Sequence, residues 1–277
     1  MISLSQIYTT DVLSEKQLEF VAQHLPQPNA QTGCPPYTNQ ELLPGILKVL
    51  RSGCRWRDLD RKDFPSAITH WRRLRFWQKM EGFLSLWDLL LHLLFDQKKL
   101  MIKTTSIDGT LIPSFAFKDM TSYSGKHHKT GTKVSLIVEE QGIPVSAIET
   151  EGAKHDSPLA IPTIQRIPRF LIQEIEKMLA DKGYDDTKIR IFLNDLGIGS
   201  DIPQREVPMS WEEKIRRRAE IKLKNQKSNN KRFVVERTNA WTKSFRRVRF
   251  RFDYTMLSFV AFLNLAFVVI CIRKLLD

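Results

Sequence analysis

The chain has 277 residues, enough to bury a full-sized core as one large domain or two modest ones. Its three cysteines, Cys34, Cys54 and Cys271, are widely spaced and form no CxxC pair, which argues against a disulfide framework or a structural zinc site and fits a reducing compartment. The charge is strongly positive, with 43 Lys and Arg against 31 Asp and Glu and a net of +12, and this points to a polyanionic partner, nucleic acid or an acidic membrane surface. A solvated basic surface would have the same composition, so charge alone leaves the partner open.

The opening MISLSQIYTT lacks a basic start followed by an apolar core, so no secretory leader is expected. Residues 1 to about 100 read as helical. Apolar positions recur at three and four from Glu15 to Leu25 and from Asn39 to Arg51, the second run being Leu42, Leu43, Ile46, Leu47 and Leu50. Thr38 is the expected N-cap of that second helix, Glu41 completes a capping box, and Ser52-Gly53 stops it. A third helix is expected through Met80, with Pro65 in its first turn, and a fourth from about Phe83 to Phe95. Helix, short turn and helix suit helix-turn-helix DNA binding and equally suit any small bundle.

The pattern changes after Lys103. Residues 104–108 and 134–140 read as strands, Gly142 as a turn, and IPVSAIETEG as a third strand. Asp156-Ser157-Pro158 reads as a helix start with Asp156 as the cap residue, followed by a helix to about Arg166. A fourth short strand ends at Asp181, a helix runs from about Asp185 to Leu196, and a short strand is expected near Ile202. Beyond Trp211 the chain reads as helical. From Met256 to Ile272 it is almost wholly apolar, near the lower limit for a membrane span, but Asn264 at its middle favours a buried closing helix. An all-helical domain over 1–100 followed by an α/β domain over 101–277 is the expected organisation.

Three carboxylates stand at informative places. Asp108 closes the first strand and precedes Gly109; Asp181 closes the fourth and precedes Lys182-Gly183-Tyr184; Glu236 lies on a helix. Strand ends aim side chains out of a sheet edge, and a neighbouring glycine lets a ligand approach the backbone. Two such acids with a third on a packed helix suit a pair of Mg²⁺ ions, which prefer oxygen ligands and promote phosphodiester chemistry. On the helix of Glu236, Val234, Thr238, Trp241, Phe245, Val248 and Phe252 mark the expected apolar face. Arg232, Glu236, Asn239, Lys243 and Arg246 or Arg247 mark the polar one. A solvated helix with an Arg232–Glu236 pair would give the same pattern.

These residues resemble the ribonuclease H-like (DDE) transposases of bacterial insertion sequences. One large group of them carries Tyr-x2-Arg-x3-Glu-x6-Lys on the Glu helix. Arg232, Glu236 and Lys243 match its last three positions, while Asn229 stands where the Tyr would be. SIDGT and LADKGYDD resemble the two Asp motifs, VLRSGCRWRDL with HWRRLRFWQKMEGF the N-terminal domain, and FLNLAFVVICIR the closing helix. The resemblance implies an α/β, ribonuclease H-like catalytic domain, a mixed sheet flanked by helices, after a helical domain that binds DNA ends. It implies cleavage at insertion-sequence ends and transfer of the 3′-hydroxyl strands into target DNA. Asp108, Asp181 and Glu236 would hold two Mg²⁺ ions, for which Mn²⁺ would substitute. The partners implied are double-stranded DNA and a second copy of the chain, with no small-molecule substrate and no membrane, in the bacterial cytoplasm at the nucleoid.

Basic clusters agree with DNA as the partner. Residues 211–251 hold fifteen Lys and Arg against four acids, and residues 51–79 nine against three. Arg232, Lys243, Asn239, Arg246 and Arg247 around the Glu helix, Lys126 and Lys129 in SGKHHKTGTK, and Arg72, Arg73 and Arg75 in the helical domain are the candidate DNA contacts. Trp56, Trp71, Phe76 and Trp77 fall at helical spacing and are expected in the core. His127, His128 and His155 form no ligand set. Three other readings remain open: a non-catalytic DNA-binding protein derived from a transposase, a small basic protein held at a membrane by the final helix, and a nuclease of the same fold.

Overall fold

The computed structural model describes residues 12–29, 36–115, 118–204 and 233–276. They form two compact units: one comprises Met1–Lys99, Ile112–Thr121 and Trp241–Asp277, the other Leu100–Leu111 and Ser122–Ala240.

The first unit is helical. Its helices are α1 (Glu15–His24), α2 (Asn39–Ser52), α3 (Ala67–Lys79) and α4 (Gly82–Asp96), joined by the closing helix (Met256–Leu276), numbered α10 in chain order. The expected capping box on α2 is present: Glu41 N–H donates to Thr38 Oγ1 at 3.2 Å, and Thr38 N–H to Glu41 Oε2 at 2.6 Å. Gly53 ends α2 in the left-handed region at φ 70°, where a side chain would be strained. The cap of α3 is Ser66 rather than a turn begun at Pro65, because the Ser66 hydroxyl accepts from Thr69 N–H.

Helix α10 is apolar on every side and is mostly buried, as a core helix must be. Phe267 packs on Trp87 of α4 at 4.9 Å between ring centroids. Asn264 is buried too, with its amide donating to Gln78 Oε1 at 3.4 Å. This packing places the closing helix with the N-terminal helices, whereas the pattern along the chain grouped it with the sheet. Of the aromatic residues expected in this core, Trp77 is fully buried and donates to the Pro26 carbonyl. Trp56, Trp71 and Phe76 are half-buried.

The second unit is built on a mixed sheet of six strands among the described residues. These are β1 (Thr104–Pro113), β2 (Ser122–Ser124), β3 (Lys129–Glu139), β4 (Pro144–Glu151), β5 (Lys177–Leu179) and β6 (Gly199–Asp201). Their order is β2-β3-β1-β5-β6, and β4 also pairs with β3. β2 and β4 run antiparallel to β3, whereas β5 is parallel to both β1 and β6. Between the strands lie α5 (Ser157–Gln165), α6 (Arg169–Ile172) and α7 (Thr187–Asp195). This is the helix-flanked mixed sheet expected of a ribonuclease H-like domain. β3 is buried from Gly131 to Glu139 on both faces, so it runs Val-Ser-Leu-Ile-Val instead of alternating.

A helix over 233–244 (α8) and a short helix α9 (Arg246–Arg249) precede α10. The buried side of α8 is Val235, Thr238, Asn239 and Thr242, a stripe rotated from the expected one. Trp241 is exposed, and so is Phe252, because the helix has already ended before it.

Candidate active site

The register of the sheet brings the two aspartates together. β1 pairs with β5 through Ser106 and Leu179, and two further residues along each parallel strand lead to Asp108 and Asp181. Neighbouring strands lie about 4.8 Å apart, so the two carboxylates stand side by side. Asp181 lies just past the end of β5, but Asp108 does not close β1 as expected, because that strand runs on to Pro113. Asp181 caps the short 3₁₀ turn Lys182–Tyr184, its Oδ1 accepting from Gly183 N–H at 2.6 Å. That turn directs Tyr184 inward.

A third aspartate arrives beside them by hairpin geometry. The start of β1 is bonded to the end of β3: Glu140 Oε1 accepts from Thr104 N–H, and Glu139 Oε2 from Met101 N–H. β4 then returns the chain along β3, and Asp156 begins α5 beyond it. Asp156 makes no side-chain cap, contrary to the expectation from sequence. Its carboxylate instead accepts from Lys133 Nζ at 2.9 Å, with Lys126 Nζ 3.6 Å away. A Cβ at position 109 would collide with Asp156 Oδ1 and lie 3.6 Å from the Tyr184 hydroxyl, so any side chain there would require Asp156 to shift.

Tyr184 is 1% exposed, and its hydroxyl has no hydrogen-bond partner among the described residues. Ser135 lies near enough to moderate its titration without making a bond of good geometry. Burial first, and then the negative charges of Asp156, Asp108 and Asp181, hold the phenol well above its ordinary pKa. The hydroxyl therefore stays protonated, a donor facing three carboxylates. Sequence reasoning missed Asp156, Lys133 and Tyr184 as site residues. The available signal was the hairpin of β3 and β4, which returns the chain so that Asp156 meets Lys133.

Glu236 is exposed on α8. That helix is anchored to the β3–β4 turn, with Arg237 donating to the Gln141 carbonyl at 2.8 Å and Thr238 to the Gly142 carbonyl at 2.7 Å. The turn lies beside the start of β1. Among the described residues no three His, Cys, Asp or Glu side chains come close enough to share one ion. The carboxylates of Asp108 and Asp181 are the hard oxygen donors that a divalent cation prefers. Glu236 does not form a group of three acids with them.

The expected DNA contacts divide by burial. Arg72, Lys129 and Arg246 are exposed, as is Lys126 beside Asp156; Arg75 and Lys243 are half-buried, with Arg75 lying 4.8 Å from the Trp71 ring. Three expectations are corrected. Arg73 is buried and donates to Asn39 Oδ1 at 2.6 Å and to the Tyr37 carbonyl at 2.7 Å. Arg247 is buried in a two-pronged ion pair with Asp253 at 2.7 and 3.0 Å. Asn239 is buried on the packed side of α8. Internal hydrogen bonds have consumed the two guanidiniums, and burial withdraws the Asn239 side chain from a phosphate. Arg232 and Asn229 lie outside the described residues, as does most of the basic stretch before α8.

Asp108 midway along β1 and Asp181 just past the parallel strand β5, in a mixed sheet flanked by helices, agree with the family that the sequence matches. The chain belongs to the transposase DDE domain family, whose profile matches residues 99–271, and residues 13–87 match a profile for transposases of the IS4/5 family. It is 32% identical over 149 residues to a transposase for insertion sequence element IS402 from Burkholderia cepacia, a match covering 52% of this chain and 64% of that protein. It is also 36% identical over 88 residues to a 16.2 kDa protein of the same element, across 31% of this chain and 60% of the relative. The chain thus spans less than two thirds of either relative. A solved synaptic complex of piggyBac transposase is a remote likeness, at 13% identity and TM-score 0.35, covering 74% of this chain and 51% of that one.

Proposed function

We propose that the chain is a DNA transposase that cleaves at insertion-sequence ends and joins the freed 3′-hydroxyls to target DNA. The observation carrying this reading is the pairing of Asp108 with Asp181, around a buried and unpartnered Tyr184 hydroxyl. In this proposal Asp108 and Asp181 hold divalent ions, with Mg²⁺ native and Mn²⁺ substituting, and the motif spacing assigns Glu236 as the third carboxylate. Such ions would activate the attacking oxygen and stabilise the leaving one.

The chain's own residues supply the rest. Gly109 lets the Asp156 carboxylate come close to the β1 backbone, and Tyr184 offers a hydrogen-bond donor beside it. Lys129, Lys243, Arg232 and Arg246 are assigned to DNA phosphates, and Arg72 and Arg75 to end recognition by the helices of residues 1–100. Joining two element ends calls for two copies of the chain on DNA, acting in the bacterial cytoplasm at the nucleoid.

The test is cleavage and joining of labelled DNA bearing the element's ends, with Mg²⁺ or Mn²⁺, by the full chain and by Asp108→Asn and Glu236→Gln. Metal-dependent joining, lost in both variants while DNA binding persists, is the expected result. Cleavage without joining would support a nuclease of the same fold. Binding without chemistry in any protein would leave a non-catalytic DNA-binding protein.

A further inference from the structure

Three aspartates, Asp108, Asp156 and Asp181, converge on Tyr184, yet they are not equivalent. Asp156 has a dedicated cation. Lys133 comes from the middle of β3, where the strand is buried on both faces, and its side chain is 6% exposed. A lysine so buried is costly unless its charge is met. Asp156, itself only 17% exposed, meets it at 2.9 Å, while the second lysine, Lys126, is 68% exposed and stands 3.6 Å away. Asp108 and Asp181 differ in origin: Asp108 stands midway along β1 and Asp181 just past the end of its parallel partner β5, two residues beyond the last paired positions, Ser106 and Leu179. The Tyr184 hydroxyl, buried beside Gly109 with no hydrogen-bond partner among the described residues, is a donor set beside them.

We propose that Lys133 is an internal counter-cation: it pairs with Asp156, keeps that carboxylate out of the ion-binding set, and leaves Asp108 and Asp181 as the pair that holds the metal. Lys133 and Asp156 are positioning residues, which fix the site's charge without touching the ion. This inference rests on the reading of Asp108 and Asp181 as metal ligands. It explains why three acids converge while, among the described residues, no three of them close on a common point. It also accounts for Gly109, since a side chain there would displace the same Asp156 oxygen that Lys133 holds.

The charge logic has a signature that a ligand role lacks. Removing Lys133 exposes the Asp156 charge to the site and should tighten cation binding. Removing Asp156 leaves the Lys133 charge and should weaken it. Removing both deletes a neutral pair and should change little. If Asp156 were itself a ligand, the double variant would bind as poorly as the single one.

The test is Mn²⁺ binding to the full chain, measured by electron paramagnetic resonance of free Mn²⁺. We expect Lys133→Met to tighten binding by roughly tenfold and Asp156→Asn to weaken it by a similar factor, the effect of one charge some ångströms from a divalent ion. The double variant should return to within about threefold of wild type. Should Lys133→Met not fold, as judged by circular dichroism, the exposed Lys126→Met serves instead. It should tighten binding by about two- to threefold, and Asp156→Asn should reverse that change. A double variant as weak as Asp156→Asn alone overturns the proposal, and so do single variants that leave affinity unmoved. Asp108→Asn is the control: if it leaves Mn²⁺ binding intact, the metal-ligand reading fails, whatever the Lys133 variants do.

Discussion

Arg247 offers the sharpest test of how burial reassigns a basic residue. Its sequence context, RRVRFR, reads as a DNA contact, yet its side chain is 8% exposed and grips Asp253, 5% exposed, through two hydrogen bonds. A third reaches the Cys54 carbonyl at 3.3 Å, and the guanidinium faces the Phe262 ring at 5.3 Å. Arg247→Met would fill a similar volume and strand the Asp253 carboxylate, a loss of about 3–5 kcal/mol. That is a large share of the roughly 5–15 kcal/mol typical of a folded domain. Urea unfolding of the full chain should record it, and adding Asp253→Leu should recover most of it, because an apolar pair leaves no charge behind. DNA affinity measured against salt should keep its slope in Arg247→Met, whereas removing a side chain that does neutralise a phosphate would reduce the slope by about 0.9. A stable Arg247→Met protein with a shallower salt slope would refute the reasoning and return Arg247 to the DNA surface.

Two other buried positions give measurable outcomes. Gly109→Ala should cost about 1–3 kcal/mol by overpacking against Asp156, read as a lower midpoint in thermal denaturation; an unchanged midpoint would mean that the Asp156 loop yields freely. His70 is buried with Nε2 unpartnered among the described residues, its Nδ1 3.0 Å from the Ser66 carbonyl, and burial lowers its pKa below the ordinary 6.5. The folded state therefore resists the proton that the unfolded chain takes up. Stability should hold above pH 6.5 and fall as the pH drops below it, a decline seen by urea denaturation and flattened by His70→Leu.

Much of the local structure was legible along the chain because its causes are local. The Thr38–Glu41 box, the Gly53 stop, the four helices before residue 100 and the turn at Gly142 all follow from spacing and cap chemistry. Asp181 likewise follows a short strand as expected, whereas β1 runs on to Pro113, well past the Asp108 at which the sequence pattern closes it. Tertiary structure alone decided what those elements meet. Register put Asp108 opposite Asp181, and the return of β4 brought Asp156 to Lys133, contacts among residues far apart in sequence. The stripe α8 buries was set by its anchor on the β3–β4 turn, not by its own periodicity. Arg73 and Arg247 look like Arg72 and Arg246 in the sequence, because adjacent helical residues share composition but not direction. Only packing determines which of two neighbouring arginines faces a carboxylate or carbonyl inside and which faces water, where a phosphate can reach it.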